Sequence, residues 1–108
     1  MSFTFLDLCT RSDADYALLQ RRTDACARLG RSYELPCRLP ASCIPQDVSL
    51  GFYRAGNRYL LYTRPPSRCC GSGEPFAALF GAAPRSFRSF ASLTAYLRRL
   101  GKLLQKEK

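Results

Sequence analysis

The sequence predicts an α+β domain: a small antiparallel sheet of three to four strands, with an N-terminal and a C-terminal helix packed on one face. Three observations carry that expectation. Two β-rich runs flank Gly56-Asn57, a helical pattern over residues 13–29 lies between a serine and a glycine, and Phe90, Leu93, Leu97, Leu100 and Leu104 step by three and four after Ser89.

At the start of the chain, Phe3 and Phe5 alternate with Thr4 before the pattern runs on into Leu6 and Leu8, which reads as a short strand over residues 3–8. Ser12-Asp13-Ala14-Asp15 then offers a capping hydroxyl with acids at the positive end of a helix. On a 3.6-residue wheel, Tyr16, Leu18, Leu19, Thr23, Ala25, Cys26 and Leu29 share one half of that helix. Asp13, Gln20, Arg21, Asp24 and Arg28 share the other half, with Asp24 and Arg28 spaced as an i,i+4 pair, so this side reads as solvated surface. Gly30 is placed to end the helix.

Pro36, Pro40 and Pro45 argue against a helix or a central strand over residues 32–47, leaving a short extended piece at 32–35. The hairpin over 48–63 is the clearest local signal, because Gly56 and Asn57 both tolerate the positive φ of a tight turn. Alternation sends Leu50, Phe52, Tyr59 and Leu61 to one face and Tyr53, Leu60 and Tyr62 to the other. Residues 64–75 hold three prolines and two glycines and read as a mobile loop, followed by a turn of helix over Phe76 to Phe80. Ser89 caps the last helix, and Phe87 is placed to fold back on its apolar side.

A chain of 108 residues supports one core, and neither a repeat nor a change of composition divides it, so a single domain over 1–108 is expected. No apolar run approaches the ~20 residues of a membrane span, and no basic region precedes an apolar one at the start. The expected location is the cytoplasm. There, Cys9, Cys26, Cys37, Cys43, Cys69 and Cys70 are expected as buried thiols, not disulfides.

Several chemistries are disfavoured. The chain has no histidine, which removes Cys-His and Ser-His-Asp catalysis. No C-x2-C pair offers a zinc knuckle, and the acids are too scattered in sequence to form a paired-carboxylate motif. Gly71-Ser72-Gly73 lacks the Gly-Lys-Ser/Thr that would complete a phosphate loop. Cys69-Cys70, beside Arg64 and Arg68, is the one candidate for thiol reactivity. The expectation is a protein without catalysis, cofactor or metal.

What the sequence offers instead is charge. Seventeen basic residues against eight acidic ones give a net charge of +9, which favours polyanionic partners. From Arg85 onward, seven cations face Glu107 alone, and Arg88, Arg99, Lys102 and Lys106 fall near one stripe of the last helix with Arg98 beside it. A ridge of that kind can follow a phosphate backbone. A second candidate is the hairpin, where Tyr53 and Tyr62 with Arg54, Arg58 and Arg64 supply the ingredients of a base-stacking face. The expected function is therefore an accessory protein that binds nucleic acid or a nucleoprotein complex. The alternative is a small inhibitor, of the kind phages and other mobile elements encode, acting on an acidic or nucleic-acid-binding surface of a host enzyme through its aromatics and the 64–75 loop.

Overall fold

In the computed structural model, residues 3–41, 43–69 and 84–106 are described, with the backbone alone for residues 3, 68, 69 and 104–106. The strand expected over 3–8 stops after β1 (Phe3–Thr4) and gives way to helix α1 (Phe5–Cys9). A reciprocal cap makes the switch. Thr4 Oγ1 accepts the Asp7 N–H at 3.1 Å, and Asp7 Oδ2 accepts the Thr4 N–H at 3.2 Å. The spacing of Phe5, Leu8 and Cys9 is helical, and all three are buried.

Helix α2 (Asp13–Arg28) starts where the Ser12 hydroxyl accepts the Asp15 N–H. It ends in a paired C-terminal motif: the Arg31 N–H reaches Cys26 O, the Gly30 N–H reaches Ala27 O, and Gly30 holds φ at +70°. Its buried stripe is narrower than the wheel implied, comprising Tyr16, Leu19 and Thr23, while Leu18 and Leu29 are exposed at 42% and 72%. Nor is the polar side simple solvated surface. Tyr59 donates to Asp24 Oδ1 at 2.8 Å, Gln20 donates to the Tyr59 hydroxyl at 3.3 Å, and Asp24 pairs with Arg54 at 3.3 Å instead of with Arg28. A tyrosine hydroxyl at the rim of the sheet turns the helix about its axis, because that partly buried group needs a partner.

The main sheet runs in the order β1, β2 (Tyr33–Arg38), β4 (Asp47–Ala55), β5 (Arg58–Arg64), β7 (Arg85–Phe87). Only the β1–β2 pairing is parallel. Strand β2 continues through Pro36, further than the prolines suggested. Among the described residues β1 pairs only with Cys37 and Arg38, so there Pro36 has a strand partner on one side alone, a place proline tolerates. The hairpin turns at Gly56-Asn57 with Ala55 opposite Arg58, and Gly56 takes φ +62°. Strand β7 had no counterpart in the sequence reading.

A separate two-stranded sheet joins β3 (Cys43–Ile44) to β6 (Arg68–Cys69), so the loop expected from residue 64 begins as strand; from residue 70 to 75 it lies outside the described residues, as does the turn of helix at 76–80. Cys9, Cys26 and Cys37 are free thiols, whereas Cys43 is disulfide-bonded, contrary to the expectation of reduced cysteines. The spacing of the cysteines could not show this, because the β3–β6 pairing, which sets Cys43 opposite Cys69 in register, exists only in the folded chain.

Helix α3 (Phe90–Lys106) begins at Ser89, whose hydroxyl accepts the Ser92 N–H at 3.2 Å. Leu93, Leu97 and Leu100 are wholly buried with Leu50, Phe52 and Leu61 of the sheet, each such side chain contributing roughly 1.5–3 kcal/mol. Phe87 folds back onto Tyr96 with ring centroids 5.4 Å apart, and Phe90 meets Tyr59 edge-on at 5.2 Å. Gly101 does not end the helix. A Cβ there would lie 2.8 Å from Cys9 Cβ, so glycine lets α1 and α3 approach. Among the described residues, no helix is long and apolar enough to cross a membrane.

Candidate nucleic-acid interface

The apolar stripe of α3 fixes what its other side presents. With Phe90, Leu93, Tyr96, Leu97 and Leu100 buried, residues Ala91, Ala95, Arg98, Arg99 and Lys102 face outward. Two shallow clefts flank this ridge. One, of about 550 Å³, is lined by Ala91, Thr94, Ala95, Arg98, Arg99 and Lys102. The other, of about 280 Å³, is lined by Cys9, Thr10, Arg11, Arg98, Gly101 and Lys102. Arg98 and Lys102 belong to both, and among the described residues no carboxylate lines either.

Arg98 is positioned from two sides. Its guanidinium carbon lies 5.0 Å from the centre of the Tyr16 ring, and one guanidinium nitrogen donates to Asp13 Oδ1. The hydrogen bond to Asp13 raises its pKa further above the ordinary arginine value. Tyr16 is itself fixed, donating to Leu8 O at 2.7 Å. Arg99 and Lys102 have no carboxylate partner among the described residues, so their charge is available to an incoming anion.

The sequence-derived candidates divide. The structure brings Arg98, Arg99 and Lys102 together and adds Arg11 from the α1–α2 turn. Arg88 is exposed but lines neither cleft; it lies two residues before α3 begins and so is not part of its outward side. Lys106 closes α3, and its side chain lies outside the described residues. Arg11 was missed because only the packing of α1 against α3 places it beside the ridge. Its position just before the Ser12 cap would have marked it as a turn cation and nothing more.

The hairpin candidates are more constrained. Arg54 does not join Tyr53 and Tyr62: strand alternation places it with Leu50 and Phe52, opposite Tyr59, where it pairs with Asp24 and lies 5.8 Å over the Tyr59 ring. On the outer face, Arg58 donates to Ser86 Oγ at 2.7 Å and Arg64 pairs with Glu34 at 3.4 Å. Tyr53 and Tyr62 are half-buried there. Tyr62 lies across Gly51 and donates to Ser32 Oγ at 2.6 Å. Cross-strand packing thus takes up much of what a stacking face would need.

Little else in the described structure offers chemistry. Burial, with the neighbouring Cys37, pushes the Cys9 thiol up to about 12, and burial with Asp7 does the same for Cys37, so neither is a thiolate near neutral pH. Among the described residues, no group of three His, Cys, Asp or Glu side chains could hold a metal ion. Known protein families, curated proteins and solved structures provide no match to the chain.

Proposed function

We propose that the chain is a non-catalytic nucleic-acid-binding protein whose α3 ridge grips phosphates. The observation that supports this is the pair of clefts sharing Arg98 and Lys102, with Arg11 and Arg99 on their walls and no acid lining either among the described residues. Guanidinium forks suit phosphate oxygens, and four cations along one ridge match successive phosphates of a backbone better than a single small anion. Binding of this kind is insensitive to base sequence and strongly sensitive to salt. The partner is nucleic acid or a nucleoprotein complex that displays it. Such a partner is met in the cytoplasm, the location proposed for the chain.

The test is affinity for duplex and single-stranded DNA and RNA across a salt series. Four neutralised phosphates give a slope of about −3 to −4 in log K against log salt, and replacing Arg99 and Lys102 by alanine lowers its size by about 2. Absence of binding at moderate salt, or a slope that the double variant leaves unchanged, would refute the reading.

A further inference from the structure

A groove of about 230 Å³ opens between α2 and β2, on a different part of the surface from the α3 ridge. It falls below the ~300–1,000 Å³ of small-molecule pockets, so it suits inserted side chains better than a cofactor. Leu8, Leu18, Leu19 and Leu35 supply the apolar lining, and Leu18 is 42% exposed although the wheel assigned it to the core. At the mouth stand Arg11 and Arg22, both exposed. Arg22 is held in place, donating to the Tyr33 hydroxyl at 3.2 Å with its guanidinium carbon 6.0 Å from that ring's centre. The one acid in the lining, Asp15, already accepts the Ser12 hydroxyl at 3.0 Å.

Strand pairing adds a second constraint. On the side of β2 away from β4, β1 reaches only Cys37 and Arg38, so among the described residues Tyr33 to Leu35 meet no second strand there. An extended segment can lie along such an edge and pass alternate side chains into the adjoining groove.

We infer that this groove docks an acidic, leucine-bearing extended segment of a partner protein, its apolar side chains among the four leucines and its carboxylates on Arg11 and Arg22. The assignment stands apart from the nucleic-acid reading, except that Arg11 borders both surfaces. A bound acidic segment therefore competes with a phosphate for that one arginine.

The probe is a fluorescein-labelled peptide with two leucines one residue apart, flanked by glutamates, titrated into the full chain by fluorescence polarisation; its control carries lysines in place of the glutamates. The acidic peptide binds and the basic one does not. Leu18→Glu and Arg22→Glu each weaken binding by about tenfold or more, the loss expected of a central anchor, while Arg99→Ala/Lys102→Ala leaves it unchanged. Because Leu18 and Arg22 are exposed, both variants keep the wild-type circular dichroism. Amide hydrogen exchange on the unmodified chain gives an independent readout, with peptide-dependent protection centred on Tyr33 to Leu35. Equal binding of the two peptides, no binding of either, wild-type affinity in both groove variants, or protection confined to α3 would each overturn the proposal.

Discussion

Tyr62 lies across Gly51 on the outer face of the sheet, so close that a methyl group at position 51 would overlap its ring. The two residues are direct cross-strand partners, and the glycine makes the bed on which the tyrosine reaches Ser32. Gly51→Ala is therefore expected to cost about 1–3 kcal/mol, as overpacking does. Tyr62→Leu in the same chain recovers part of that loss. Chemical denaturation of the two single variants and the double variant reads the coupling, and strictly additive effects would contradict this geometry.

The Asp24 carboxylate ties α2 to the hairpin through Tyr59 and Arg54. Asp24→Ala leaves the Tyr59 hydroxyl with Gln20 alone, and a loss of about 1–2 kcal/mol is expected, since part of the cluster is exposed to solvent. Combining Asp24→Ala with Tyr59→Phe should cost less than the sum of the two changes.

Asp13 competes with any phosphate for Arg98. Asp13→Asn frees that guanidinium for its phosphate, so nucleic-acid affinity should rise, with a salt slope no steeper than the about −3 to −4 of four phosphate contacts. Equilibrium binding at several salt concentrations measures both. A fall in affinity would show that the ion pair presents Arg98 and does not occupy it.

The Thr63 hydroxyl is buried and has no hydrogen-bond partner among the described residues. Thr63→Val removes an unsatisfied polar atom at nearly constant shape, and a gain of about 1 kcal/mol is expected. The urea midpoint is the readout, and a drop would mean that the hydroxyl is satisfied by water.

Burial raises the Cys9 and Cys37 thiols from 9.0 to about 12 and the Tyr16 hydroxyl from 10.0 to about 12. Between pH 9 and 12 the folded chain keeps protons that the unfolded chain has released. Stability should thus be level with respect to these groups below pH 9 and fall as pH rises above it. Urea midpoints from about pH 7 to about pH 11 test the sign. Thiol labelling adds an independent check: of the three thiols described as free, Cys26, half-buried, reacts first and Cys9 and Cys37 only on unfolding, whereas Cys69 and Cys70, the reactive pair expected from sequence, have side chains outside the described residues.

Local chemistry made much of the fold legible. Ser12 and Gly30 bracket α2, Ser89 and the leucine steps define α3, and Gly56-Asn57 sets the hairpin and its two faces; each signal acts within a few residues of itself. Thr4 and Asp7 carried a signal of the same kind, a reciprocal cap, which the alternation of Phe3 and Phe5 concealed. The cations of α3 were readable as one side of a helix because Leu93, Leu97 and Leu100 claim the other.

The rest was decided by groups far apart in the chain. Tyr59 rotates α2 so that Asp24 is engaged and Leu18 exposed; acids on α2 and β2 claim Arg98, Arg54 and Arg64; α1 carries Arg11 to the ridge; and a pair of two-residue strands sets Cys43 opposite a second cysteine. A hydrophobic period specifies which residues want burial, since burial is proportional to apolar area and has no direction. Which charge meets which depends on positions that exist only once the sheet and helices have packed.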